Sequence, residues 1–233
     1  MRKTKIAIIL FLIAVLLVGV FVYKNKDRES ILLSDNERQA LNDIGPTQTT
    51  ESDIAMAKTK IDSFHSELKN GSKDKTKYYL YIAIAQQYEL LGNGENTAVN
   101  LFLASKQEND RSLPFFKLGD LFEKAELFNR AEEYYEKAID TEPQIVQNHR
   151  GLLNLYIEKM SVGKSRVQST FDDARSETGD DIDVLRMYAK WLTAESEYLR
   201  AIDILRFILR ENPTDKEEIE KEILRLTQLI NEG

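Results

Sequence analysis

The sequence predicts an all-α fold: a solenoid of about four helix pairs with flanking helices, preceded by one transmembrane helix. Three observations carry this. Aromatic, apolar and small residues recur at close to 34-residue intervals through much of the chain, the mark of stacked units that cannot bury their apolar faces alone. Apolar residues also recur at helical spacing, as Ile54, Ala57, Ile61, Phe64 and Leu68 do. The third observation is a run of seventeen uncharged residues, Ile6 to Val22, with Arg2, Lys3 and Lys5 before it and Lys24, Lys26 and Arg28 after.

With Tyr23 and the nearer flank that run is about 27 to 30 Å long as a helix, enough for a bilayer core. Residues 1–5 are then a basic head and 6–23 a signal anchor. The competing reading is a cleaved secretory signal, which needs small residues before the cut. Val18, Gly19, Val20, Phe21, Val22 and Tyr23 are mostly bulky or β-branched there. A lipoprotein signal is excluded, because the chain has no Cys. Lys and Arg count three on each side, so the positive-inside rule gives a tie. A short basic head running directly into the apolar stretch favours a cytoplasmic N-terminus and an extracytoplasmic domain. The alternative topology places the domain in the cytosol.

From residue 24 to 51 the composition is polar and closes with Gly45-Pro46 and a Thr-rich run, which predicts a linker. Ser52 or Asp53 is expected to cap a leading helix over 53–70, ended by Asn70-Gly71. The clearest repeat lies between Ser112 and Ile145: Phe115, Leu118, Gly119 and Phe122, then Ala131, Tyr135, Ala138 and Pro143. Tyr81, Ile84, Ala85 and Tyr88 precede the first four by 34 residues, and Ala98 and Phe102 precede Ala131 and Tyr135 by 33. Leu185, Tyr188, Ala189, Leu192, Ala201, Leu205, Ile208 and Pro213 follow their counterparts by 70. That distance leaves room for one further unit with two inserted residues near Ser161 to Arg166. His149, Leu152, Leu153, Tyr156, Phe171 and Ala174 fill it, with Leu153 and Val167 where small residues are wanted. The units are therefore about 78–111, 112–145, 146–181 and 182–215. Thr214 and Glu217 form the expected capping box of a final helix over 214–231, with Ile219, Ile223, Leu226 and Ile230 on one face.

This pattern of aromatic, Leu-Gly and aromatic, then Ala, aromatic and Ala, then Pro within 34 residues resembles the tetratricopeptide repeat (TPR). The resemblance implies a TPR solenoid over residues 52–233 that binds protein or peptide partners, as an extended segment or a C-terminus, through an inner groove. In that family the groove is lined by the second, fifth, ninth and twelfth positions of each first helix. Carried onto this chain, those positions are Tyr79, Ile82, Gln86 and Glu89, then Leu113, Phe116, Asp120 and Glu123. They continue with Gln147, Arg150, Asn154 and Ile157, and with Asp183, Arg186, Lys190 and Thr193. The N-terminal half is apolar and aromatic, whereas Arg150, Asn154, Arg186 and Lys190 form a basic and amide patch. That patch resembles the carboxylate clamp of some repeat domains, though not at the clamp's own positions.

Other chemistry finds little support. Residues 1–30 hold six Lys/Arg and two Asp/Glu, which leaves 26 basic against 37 acidic residues in the rest of the chain. Such an acidic domain disfavours nucleic acid and anionic lipid as repeat-domain partners. Val162-Gly163-Lys164-Ser165 resembles the end of a phosphate loop, but Glu158 stands where its first glycine belongs. His65 and His149 lack neighbours at metal-ligand spacing. His149 takes an aromatic packing position, and Asp172-Asp173 and Asp180-Asp181 read as solvated helix ends. No catalytic residue, cofactor or metal is expected. The expected function is a membrane-anchored scaffold or adaptor in envelope assembly or secretion. The alternative is a self-assembling structural component, and an enzyme is the third class.

Overall fold

The computed structural model describes residues 33–46, 49–72, 75–211 and 213–232. The basic head, the expected transmembrane segment and the start of the linker lie outside them. Among the described residues no helix is long and apolar enough to cross a membrane. These residues form eleven α-helices and no strand, so the fold is all-α. In order they are α1 Asp35–Asp43, α2 Glu51–Asn70, α3 Lys77–Leu90, α4 Gly94–Gln107, α5 Leu113–Lys124 and α6 Phe128–Thr141. There follow α7 Val146–Glu158, α8 Lys164–Thr178, α9 Ile182–Ala194, α10 Tyr198–Glu211 and α11 Lys216–Glu232, the last behind a 3₁₀ turn at Pro213–Asp215.

From α2 onward each helix packs chiefly on its sequence neighbours, with α3/α4, α5/α6 and α9/α10 the closest pairs and α7/α8 looser, which makes the body a helical solenoid. Three of the four pairs turn in the same way. The amides of Asn93, Leu127 and Glu197 reach back to the carbonyls of Tyr88, Phe122 and Leu192 at 2.8–2.9 Å. This closes the first helix with a residue of positive φ at Gly92, Glu126 and Ser196. In the α7/α8 pair Met160 makes the corresponding bond to Leu155, and three further residues follow before Lys164 opens α8.

The centre of the stack is Tyr135 on α6, which is 2 % exposed. A Cβ built on Gly119 of α5 or on Gly151 of α7 would lie 2.6 Å from its ring. The ring is thus held between two helix backbones that approach closely only because neither carries a side chain there. Phe116 packs against it, with ring centroids 5.7 Å apart, and its hydroxyl donates to Glu123 Oε2 at 2.8 Å. Burial, reinforced by the Glu123 bond, pushes the phenol's pKa far above its usual value.

Three boundaries differ from the sequence expectation. The stretch expected as linker contains α1, where Ser34 and Glu37 form a full capping box. Its single fully buried side chain, Leu41, sits where a Cβ on Gly94 would come within 2.2 Å of the Leu41 carbonyl oxygen. Arg38 pairs with Glu95 and Glu37 with Arg130, so α1 is clipped to α4 and α6. Helix α2 starts at Glu51, because Thr50 rather than Ser52 or Asp53 is its cap and Asp53 completes the box. The final helix starts at Lys216 rather than Thr214, and the Glu217 carboxylate pairs with Lys221 at 2.7 Å.

Two measurements test this packing. Gly151→Ala gains about 1 kcal/mol of helix propensity, but overpacking against an immobile ring costs about 1–3 kcal/mol. The expected net effect is destabilisation in urea denaturation, and a stabilised variant would refute the sandwich. The second concerns Glu142 at the end of α6, whose carboxylate accepts from the Ser112 amide at 2.6 Å and hydroxyl at 2.7 Å. Those bonds, the backbone one first, lower its pKa. A lowered folded-state pKa adds stability above the unfolded value, and that stability is lost as pH falls through the folded one. Glu142→Gln should therefore lower stability near neutrality and flatten its decline as pH falls below the ordinary carboxylate range.

Candidate functional site

The four first helices, α3, α5, α7 and α9, carry the positions expected to line a groove. Tyr79 is 49 % exposed and Leu113 42 %, and Gln86, Asn154 and Lys190 are also exposed. Ile82 is not available: at 7 % exposure it belongs to the core, because α3 is packed by α2 on one flank and by α4 on another. Phe116 is half-buried rather than open, its ring lying beside Tyr135 and 3.1 Å from a Cβ built on Gly151. The apolar surface at this end is therefore Tyr79 and Leu113.

The expected basic patch is largely neutralised by carboxylates on the next element along. Arg150 of α7 reaches Asp183 of α9 at 2.9 Å, which leaves its buried Nε without a partner. Arg186 of α9 pairs with Asp215 in the 3₁₀ turn. One step earlier, Lys124 at the end of α5 bonds Asp120 at 2.8 Å and Glu89 of α3 at 3.1 Å. Partial burial opposes the Lys124 charge, but the two carboxylates outweigh it and raise its pKa. A broken ladder of ion pairs thus ties α3 to α5, α7 to α9 and α9 to the 3₁₀ turn, with no rung from α5 to α7 among the described residues. Of the four residues in the expected patch, Asn154 and Lys190 keep free polar ends among the described residues.

At the C-terminal end α11 leaves a hollow of about 300 Å³ against α9, with Arg186, Lys190 and Arg225 facing Glu218 and Glu222. Arg225 is tied to Glu222 at 2.6 Å, so the charge there is mixed rather than basic. A geometry that holds a peptide carboxylate by converging guanidinium and amide donors is not assembled. The ion pairs were invisible in sequence because each joins residues 29 to 35 apart. A period of about 34 with opposite charges in register is the signal that finds them.

The remaining sequence candidates take structural roles. Lys164 of the loop resembling a phosphate loop opens α8 and pairs with Glu195. Asp181 caps α9 by accepting from the amides of Asp183 and Val184, and Asp180 pairs with Arg175. His65 is exposed, whereas His149 is 1 % exposed with Nε2 2.6 Å from the Pro143 carbonyl oxygen. Among the described residues no three His, Asp or Glu side chains converge to hold a metal ion. In comparisons with known proteins, no family model and no curated protein matches the chain.

The ladder has a measurable strength. The side chains of Arg150 and Asp183 are 36 % and 62 % exposed, so solvent screens the pair. A double-mutant cycle with Arg150→Ala and Asp183→Ala should give a coupling below about 1 kcal/mol. A coupling of about 3 kcal/mol would mean a buried bridge and would contradict an open face.

Proposed function

We propose that the chain is a tetratricopeptide repeat protein that acts without catalysis as a scaffold, anchored through residues 6–23 with its solenoid outside the cytoplasm. Its work in envelope assembly or secretion is to hold a protein partner near a membrane. The observation that carries this reading is the division of labour within each unit. Many landmarks recurring at 33 to 36 residues, among them Ala98, Leu118, Tyr135, Phe171, Leu185 and Ala201, are buried. Tyr79 and Leu113, which belong to the same helices, stay exposed on the face along which the first helices line up. A surface braced by inter-helix ion pairs reorganises little on binding, so little ordering cost opposes association.

A second reading, self-association, is supported by the opposite end. Leu199 is 69 % exposed and Ile230 37 %, around a hollow of about 470 Å³ with Tyr198 and Leu229 on its walls. One experiment separates the two readings. A photo-crosslinking residue is placed at Tyr79, Leu113 or Leu199 of the full chain in native membranes, and trapped products are identified by mass. The scaffold reading expects one shared heterologous product at Tyr79 and Leu113, reduced when the other of the two is changed to Ala. If those sites are silent and Leu199 traps a second copy, the scaffold reading fails in favour of self-assembly.

A further inference from the structure

The third helix pair departs from its neighbours in a way that makes a cavity. At its first packing position the two units before it place Tyr81 and Phe115, and the third places His149. An imidazole is smaller than either ring, and His149 is drawn toward the Pro143 carbonyl by its Nε2 contact. Together with the looser α7/α8 pairing this leaves a hollow of about 410 Å³ between α6, α7 and α8, open to solvent at the rim formed by Glu136, Asp140, Ser169 and Asp173. That volume lies in the range of small-ligand sites.

The polar lining is rich in hydrogen-bond acceptors: its donors are the Arg166 guanidinium and the Tyr156 and Thr170 hydroxyls, all committed to other partners, and the exposed Ser169 hydroxyl at the rim. A carbonyl oxygen only accepts, so Nε2 of His149 bears the proton toward Pro143, and in the neutral ring Nδ1 carries a lone pair. Nδ1 has no hydrogen-bond partner among the described residues, although the side chain is 99 % buried and lines the cavity. Asp140 of α6 and Asp173 of α8 face the same space, and neither carboxylate has a partner among the described residues. The Thr170 hydroxyl donates to the Arg166 carbonyl at 2.9 Å, so its oxygen is also left to accept. The one cation on the wall, Arg166, is committed elsewhere: it bonds Glu132 at 2.6 Å, the Tyr156 hydroxyl at 2.9 Å and Glu136 at 3.3 Å. The floor between these groups is the apolar surface of Ile139 and Leu152.

An acceptor-lined cavity with two free carboxylates and an apolar floor suits a ligand that brings N–H donors, positive charge and a methylene stem. We propose that it is a binding site for an alkylammonium or guanidinium cation, with Asp140 and Asp173 neutralising the charge and His149 Nδ1 accepting one N–H. The cation has two sources, a free amine or the Lys or Arg side chain of a protein. The site is separate from the exposed Tyr79 and Leu113 surface and does not depend on it.

The test titrates the full chain in detergent with cadaverine, as the free amine, and with a capped neutral peptide carrying one Lys. Heat of binding and the ¹⁵N resonances of the His149 ring are followed. Saturable binding of either probe that shifts the His149 Nδ1 resonance is expected. The Asp140→Asn, Asp173→Asn double variant should weaken it by about tenfold or more, with thermal stability unchanged because both positions are exposed. Cadaverine binding alone assigns the free amine, and peptide binding alone assigns the protein side chain. The proposal is overturned if neither probe binds, if the double variant binds as tightly as the parent, or if Glu217→Gln with Glu220→Gln on α11 weakens binding equally.

Discussion

The clamp on Tyr135 is the constraint from which the rest of the solenoid is set out. Its ring occupies the volume that a side chain at Gly119 or Gly151 would need, so three consecutive helices meet at one buried aromatic. Close packing leaves such a ring no second position, and that fixes how α7 sits on the α5/α6 pair. Every later helix is stacked on α7 or its successors, so an error at this contact would be carried to α11. The hydroxyl bond to Glu123 adds a polar restraint to a contact that shape already determines.

Beyond that contact the structure is stitched by charge. Arg130, Arg166 and Arg200 each lie over the closing aromatic of the preceding first helix, Phe122, Tyr156 and Tyr188, at 5.1–5.7 Å from the ring. Tyr156 in turn donates to Glu132 and Tyr188 to Gln168, so the staples around Arg166 and Arg200 each take in the second helix of the unit before. A planar guanidinium suits this position because it can stack and fork at once, which Lys does not do. The other face carries the pairs Lys124–Glu89, Arg150–Asp183 and Arg186–Asp215. Arg150, Arg166 and Arg200 thus hold one unit to the next, while Arg38 and Arg130 hold α1 and Arg186 holds the turn before α11.

The landmarks at 34-residue spacing were legible in sequence because each is a large or small residue whose size alone decides whether helices nest. Leu118, Phe122, Ala131 and Ala138 are fully buried, and Leu153 and Val167 are accommodated in the looser third pair. Helix α1 was not legible, since nine residues with one fully buried side chain give no periodicity to find. It is held by a local capping box and by the absence of side chains at Gly92 and Gly94, whose close partners Gly45, Pro46 and Leu41 lie 46 to 53 residues away in sequence. The candidate site was legible in part. Its positions followed from helix register, but exposure is decided by neighbours, which buried Ile82, half-covered Phe116 and paired Arg150 and Arg186.

Docking of α1 also sets a length. With the proposed span ending at Tyr23, a 28-residue linker would let the solenoid range up to about 95 Å from the bilayer at about 3.4 Å per residue. Because Leu33 is already against the body, no more than nine residues, 24–32, separate the proposed span from it, which bounds the reach at about 30 Å. The volume such a leash sweeps falls roughly as the cube of its length. Under the proposed anchoring, anything else held at the same membrane would meet this domain at a correspondingly higher local concentration.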